Sequence, residues 1–388
     1  MSSSSVNINP EVLTFARERS GYVIPDIAKK LQVNEERWLK WEQGEIKPTA
    51  KQLTKIASKL DRSPAFFYLN EPPEEEPPLS DFRTINNIPL ENAQPKLIQA
   101  IREAKRNRET LLELYSIQNK EPERIPAYAN ISNQIEGVAR EVRSWLDLTF
   151  ERQNSWQGAS NALTEWKNIL EDKDIYVIQY PYVELDVARG FALAESEIPI
   201  IGINSKDSYN GRIFTLIHEL CHILLRDSVL VNDDLQNYFS SGSQKMEKLC
   251  NKLTAEILVP SDITRRLFDN RNNDLLREVN RLRTKFRVSN YVILIRLKNL
   301  SLITTQEYKG IKPEVSFSDS TISGSTSGNA YYNQIVRKGK LLIKTAFVAY
   351  FNDNISLPEL TEITSWKVPN LNELAAKTFD WPKEGKYI

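Results

Sequence analysis

Histidine is almost missing from this chain, with two in 388 residues. Cysteine and methionine are equally scarce, at two each. Neither Cys221 nor Cys250 sits in a CxxC pair, which excludes a disulfide framework and a cysteine-based zinc ribbon and fits a reducing compartment. Net charge is absent too: Lys+Arg and Asp+Glu number 51 each. No global asymmetry therefore points to nucleic acid or a membrane, and any such surface must be local. No apolar run approaches the roughly 18 residues needed to span a bilayer. The start, MSSSSVNINPEV, has no basic segment leading into an apolar stretch, so no secretory signal is expected. These absences predict a cytoplasmic protein with no membrane partner.

What is present is the composition of a globular protein, 40% hydrophobic and 26% charged, enough to bury real cores. The length implies about two or three domains. Residues 1–70 read as short helices joined by tight turns: PEVLTFARER, PDIAKKL, NEERWLKWEQG, TAKQLTKIASKL and SPAFFYL. Residues 71–125 begin with EPPEEEPPLS, an acidic and Pro-rich linker, and continue into a connecting helix. Residues 126–305 form a mixed segment. After a helical pattern over 132–147, strands are expected at DIYVIQYP (174–181), GFALAE (190–195) and PIIGIN (199–204). Helices follow at 212–225, 244–258, 274–286 and 289–298. Residues 306–388 combine a Ser/Gly-rich flexible stretch, SFSDSTISGSTSGN (316–329), with a helical tail over 331–379. The fold class expected is α+β and mainly helical.

Both histidines fall in HELCH, residues 218–222. On a helix, positions four apart share a face, so His218 and His222 can reach one ion while Glu219 addresses a water molecule beside it. Zinc suits this donor set: it binds imidazole and carboxylate, keeps an open position and lowers the pKa of water toward about 7. Glu219 is then the general base, taking the water proton and later passing it to the leaving amine. Two randomly placed histidines give this pattern about once in 2,500 arrangements. A metal site is therefore preferred over a pair of structural histidines.

A catalytic zinc needs a third protein ligand. With no third histidine it must be a carboxylate, and a metzincin pattern fails because Leu225 and Ser228 stand where Gly and His are required. The helix MEKLCNKLTAEILVP offers Glu247 and Glu256. Glu247 borders the apolar stripe Met246, Cys250, Leu253 and Ile257, which favours it modestly and leaves Glu256 open.

These segments resemble the ImmA/IrrE family of bacterial metallopeptidases. The resemblance rests on RGFAL (189–193), PIIGIN (199–204), FTLIHELCH (214–222) and EKLCNKLTAEILVP (247–260). It implies a zincin-like domain and places the third ligand on Glu247, with Glu256 at a variable position. The chain departs from the family pattern at Cys221, Cys250, Leu253 and Thr254, which replace small or aromatic residues without touching the ligands. Cys221 is expected as a small core residue rather than a redox sensor. Asn251 reads equally as a hydrogen-bond partner behind the ligands or as a polar helix residue. Tyr209, Arg226 and Tyr238 are near enough in sequence to be considered as oxyanion donors. By analogy with zinc peptidases, the strand at Gly190 and Phe191 is expected to pair with an extended substrate.

Residues 26–44, DIAKKLQVNEERWLKWEQG, resemble a Cro/repressor-type helix-turn-helix of the XRE kind, through Ala28, Leu31, Val33, Trp38, Trp41, Glu42, Gly44 and Pro48. Its second helix would be the one offered to the major groove. Lys29, Lys30, Arg37, Lys40 and Lys47 are the candidate DNA contacts. Against this, residues 1–70 hold 11 basic and 8 acidic residues, a net of about +3. Glu35 and Glu36 also stand at the start of the presumed recognition helix. A second unit of similar pattern, 278–303, is expected to belong to the peptidase body.

The order of helix-turn-helix, P-P-L-x-D-F-R (Pro77, Pro78, Leu79, Asp81, Phe82, Arg83) and HExxH resembles a two-part subfamily of the same peptidases. The resemblance implies a transcriptional regulator that cuts a specific protein, such as a repressor or antitoxin, in a stress, mobile-element or toxin–antitoxin setting. Operator DNA and a genetically neighbouring toxin or effector are the implied partners. The competing expectation is a DNA-binding repressor or antitoxin whose peptidase-like domain is a non-cleaving sensor or docking scaffold.

Overall fold

The computed structural model describes residues 5–74, 95–128, 131, 134–194, 197–225, 235–269, 274–320 and 330–379. Within these, only the backbone is described for 235–244, 316–320 and 330–332. Most of the Pro-rich linker, the P-P-L-x-D-F-R segment, Arg226, the side chain of Tyr238 and most of the Ser/Gly stretch lie outside the described residues. The chain divides into two compact units, one containing residues 5–74 and 95–103, the other the residues from 104 onward.

The N-terminal unit holds helices α1 (Pro10–Arg19), α2 (Ile24–Leu31), α3 (Glu35–Glu42) and α4 (Ala50–Leu60), then a 3-10 turn at Pro64–Tyr68. Side-chain caps set three of these starts. Asn9 caps α1 ahead of Pro10, Asn34 caps α3, and Thr49 with Gln52 forms a capping box on α4. Gln32 ends α2 in the left-handed conformation, making the turn into α3. Ile27, Ala28, Trp38, Trp41, Leu53, Ile56 and Phe67 close the core beneath.

In the larger unit, α5 (Pro95–Ile117), which begins before residue 104, is followed by α6 (Ile135–Trp145), α7 (Phe150–Ser155) and α8 (Gly158–Glu171). Three strands come next, β1 (Tyr176–Tyr180), β2 (Gly190–Leu193) and β3 (Ile200–Asn204). Then run α9 (Tyr209–Leu224), α10 (Leu235–Leu258), α11 (Ser261–Leu267), α12 (Leu275–Phe286) and α13 (Asn290–Asn299). The chain continues through α14 (Thr305–Ser320), α15 (Ala330–Lys338), α16 (Lys340–Phe351), α17 (Leu357–Thr364) and α18 (Leu371–Phe379). The fold is α+β and mainly helical, with one small sheet.

The sheet has the order β1-β3-β2. β1 pairs in parallel with β3, from Tyr176 opposite Ile200 to Tyr180 opposite Asn204. β2 pairs antiparallel to β3, with Phe191 opposite Gly202. Every strand residue is buried, so the strands read as continuous apolar runs rather than alternating ones. Helix α9 packs on β2 and β3, α8 and the C-terminal α15 and α16 pack on β1, and α10 packs on α9 and α6.

Helices α7 and α8 fill a stretch of the mixed segment to which no element was assigned from sequence, because the polar QNSWQGASN conceals the stripe Ala162, Leu163, Trp166, Ile169 and Leu170. Helix α14 also runs on to Ser320, into the start of the Ser-rich stretch read as flexible. The helix pair α12 and α13, the second turn-like unit, supplies Val279, Leu282, Phe286, Ile293 and Leu294 to the main core.

Candidate metal centre

Helix α9 begins at Ser208, whose hydroxyl accepts from the Gly211 amide, and its C-terminal half is buried almost completely. That burial is unusual for a helix carrying HELCH, because imidazole and carboxylate lose hydration there unless something replaces it. The apolar neighbours Leu216, Ile217, Leu220 and Ile223 anchor the helix in the core and leave His218 and His222 one turn apart. On α10, Met246, Cys250, Leu253 and Ile257 are buried alongside, which turns Glu247 toward α9.

His218, His222 and Glu247 meet here as a group able to hold a metal ion. The two Nε2 atoms are 3.1 Å apart. Glu247 places Oε2 3.3 Å from His218 Nε2 and Oε1 3.4 Å from His222 Nε2. Ligands about 2.0–2.1 Å from a tetrahedral zinc stand roughly 3.3 Å from one another, so the spacing fits such an ion without rearrangement. Burial by itself would push the Glu247 carboxyl up, but hydrogen bonds from His218 and His222 and their charge carry it down to about 2. It is therefore an anion across the physiological range, as a ligand must be.

Glu219 is fully buried, and neither carboxylate oxygen has a hydrogen-bond partner among the described residues. Its pKa is raised well above the carboxylate range, first by burial and then by the charge of Glu247. An orphaned carboxylate beside three converging donor atoms is a chemical fit to a site that takes a cation and a polar small molecule. Strand β2 presses close at this point: a Cβ on Gly190 would stand 2.4 Å from Thr215 Cγ2 and 3.1 Å from Glu219 Oε1. Only glycine leaves room for the strand to approach the helix so closely.

Two neighbours were not expected from sequence to turn a polar atom toward this group. Tyr180, at the end of β1, stacks on Phe191 with ring centroids 5.5 Å apart. Its buried hydroxyl has no partner among the described residues, and burial, then the Glu219 charge, holds its pKa well above 10. Cys250 is the other, with Sγ 3.6 Å from His222 Nδ1. Each stands on an apolar-looking segment, and no residue pattern marks it as polar machinery.

The remaining candidates fall elsewhere. Glu256 is buried in an ion pair with Arg296 and accepts from the Ser261 amide at 2.7 Å, so it braces the α10–α11 turn and does not join the metal cluster. Asn251 is exposed. Tyr209 lies nine residues before His218 on α9, roughly 13 Å along the axis, and Arg212 sits over its ring. Cys221 is buried in the main core, and burial pushes its thiol up to about 12, which is the state of an inert packing residue.

In the N-terminal unit, Lys29, Lys30, Arg37 and Lys47 are exposed and Lys40 is half-buried. Lys40 donates to Glu36 at 2.7 Å, one turn away on the same helix, and this bond with its charge raises the Lys40 pKa and lowers that of Glu36. Lys30 donates to the Tyr22 hydroxyl at 2.7 Å, and the Arg37 guanidinium lies 5.7 Å from the Trp41 ring centroid. Glu42 is structural: Arg17 and the Trp38 indole both donate to it, at 2.7 and 2.8 Å.

Residues 170–298 match the family model of a peptidase family, the IrrE N-terminal-like domain. His218, Glu219, His222 and Glu247 all fall inside that range. No curated protein matches the chain. Among solved structures, a Mycobacterium tuberculosis transcriptional regulator aligns at 14% identity with a TM-score of 0.31. That alignment covers 49% of this chain and 51% of the other, so it spans about half of that protein's length.

Proposed function

With a peptidase-family domain over residues 170–298 as the premise, we propose that the chain is a zinc-dependent, site-specific endopeptidase. The observation that carries this reading is the convergence of two imidazole nitrogens and a carboxylate beside a buried, unpartnered Glu219. His218, His222 and Glu247 hold the ion. Bound there, zinc supplies Lewis acidity, polarising a peptide carbonyl and acidifying water.

The protein's own groups do the rest. Glu219 takes the proton from the attacking water and returns it to the leaving amine, a role served by a carboxyl whose pKa lies above the ordinary range. Among the described residues the Gly190–Leu193 strand is the edge strand of the sheet, and an extended peptide adding beside it as a further strand would bring its carbonyl past Glu219. The ring of Phe214 stacks on His218 with centroids 6.1 Å apart and adds an apolar surface beside the site.

The N-terminal unit is read as a regulatory helix-turn-helix that places the peptidase at operator DNA, through Lys29, Lys30, Arg37, Lys40 and Lys47. The substrate class is a regulatory protein, a repressor or antitoxin, in a stress, mobile-element or toxin–antitoxin setting, with a genetically neighbouring toxin or effector as a further partner. Among the described residues no helix is long and apolar enough to cross a membrane.

The test compares zinc-loaded wild type with Glu219→Gln on a library of peptides and intact bacterial proteins, read by mass spectrometry of new termini. Cuts made by the wild type and missing from Glu219→Gln are the expected result. Fully loaded wild type that cuts nothing beyond Glu219→Gln would replace the enzyme with the non-cleaving scaffold.

A further inference from the structure

His222 turns one ring nitrogen to the cluster and the other to the protein. Its Nε2 faces His218 Nε2 at 3.1 Å and Glu247 Oε1 at 3.4 Å, while its Nδ1 lies 3.6 Å from Cys250 Sγ. We propose that Cys250 is a positioning residue for the metal, accepting the Nδ1–H of His222 and so fixing that ring's tautomer and angle. This inference rests on the reading of His218, His222 and Glu247 as metal ligands.

An imidazole that gives Nε2 to a cation carries its proton on Nδ1, and that N–H needs an acceptor. In metal sites the acceptor is commonly a carboxylate, a backbone carbonyl or water, and its loss typically costs 10–100-fold in affinity. Here a sulfur lies within reach. Cys250 is completely buried and follows Glu247 by three positions on α10, so both side chains project from one face of the helix. The turn that delivers Glu247 to the front of the cluster thus delivers sulfur to the back of the His222 ring. The Nδ1 of His218, by contrast, is buried with no hydrogen-bond partner among the described residues. His222 is therefore the imidazole with a described protein group behind it.

Sulfur accepts hydrogen bonds weakly, which sets the expected effect at the lower end of that range. The geometry also separates this role from simple packing. A valine at position 250 keeps the position filled, with one more carbon than cysteine, and accepts nothing, whereas a serine keeps an acceptor on a shorter bond.

The test measures zinc affinity by chelator competition in wild type, Cys250→Val and Cys250→Ser, with His218→Ala as the reference for a lost ligand. We expect Cys250→Val to bind about tenfold more weakly and Cys250→Ser to stay within about threefold of wild type. Equal affinity in wild type and folded Cys250→Val overturns the role of Cys250 and leaves the ligand set standing. Wild type that binds no zinc, like His218→Ala, overturns the ligand set and this inference with it. A second measurement needs no substitution. Because the chain has two histidines, the imidazole nitrogens of zinc-loaded wild type can be assigned by NMR. A His222 Nδ1 proton protected from solvent exchange is expected, and one that exchanges freely, or metal bound at Nδ1, overturns the proposal.

Discussion

Gly190 and Glu219 approach so closely that a methyl group on the glycine would stand 3.1 Å from the carboxylate Oε1. The same methyl would meet Thr215 Cγ2 at 2.4 Å, inside contact distance. The sheet edge and the HELCH helix are thus fitted to each other through the absence of one side chain. Gly190→Ala should cost about 1–3 kcal/mol of stability, the usual cost of overpacking a filled core. Adding Thr215→Ser removes the opposing methyl and should restore most of it. Denaturant unfolding of the single and double variants checks this, and a double variant no better than the single one contradicts the contact.

Glu256 and Arg296 form a buried ion pair, and Arg296 also donates to the Val259 carbonyl at 2.8 Å. Removing one member of such a pair typically costs about 3–5 kcal/mol. Arg296→Met should therefore lower the unfolding midpoint sharply. Glu256→Gln should destabilise as well, yet keep zinc in whatever fraction remains folded. Loss of zinc from folded Glu256→Gln would return that residue to the ligand set.

Much of this was legible in the sequence, for identifiable reasons. The HELCH spacing, the three apolar strands bounded by Pro, Gly and Asn, and the capped helices of residues 10–60 depend on local chemistry, and the structure has them within a few residues. The choice of Glu247 over Glu256 was open to residue pattern alone, since both lie on one helix. It turns on which carboxylate finds Arg296, a contact 40 residues away. Cys250 and Tyr180 were hidden for a related reason. A buried cysteine and a strand tyrosine look like packing until the tertiary fold shows which polar atom faces them. Helix α8 was obscured by a polar, small-residue start although its later turns are strongly apolar.

Lys167 and Glu171, one turn apart on α8, are both buried. Burial pushes Glu171 up to about 7 against the pull of Lys167 and of the Leu341 and Lys340 amides. Burial likewise pushes Lys167 down to about 8. From the ordinary value of 4.5 up to about 7, folded Glu171 keeps a proton that the unfolded chain has lost. Stability from this group is thus full below that window and falls as pH rises through it. For Lys167 the unfolded chain holds the extra proton between about 8 and 10.5, so stability rises again with pH there. Between pH 5 and 7.5, wild type should lose about 2 kcal/mol more than Glu171→Gln. Parallel pH profiles of unfolding free energy for the two proteins would contradict this.

On α3, the bond between Lys40 and Glu36 holds a candidate phosphate contact on its own helix. Glu36→Gln frees Lys40 and removes a carboxylate that repels phosphate. If α3 faces DNA, the substitution should tighten binding to a short duplex and steepen its salt dependence by about 0.9 in the log–log slope. Fluorescence anisotropy at several salt concentrations reads both. No binding by either protein at low salt would assign the helix-turn-helix to protein docking instead.

A zinc centre of three ligands with Glu219 beside it is read out by metal content. Purified wild type, His218→Ala, Glu247→Ala and Glu219→Gln are measured together by elemental mass spectrometry. About one zinc per chain is expected in wild type and in Glu219→Gln, and none in His218→Ala or Glu247→Ala. Wild type without metal after handling free of chelators, or Glu247→Ala with a full complement of zinc, would contradict the three-ligand centre.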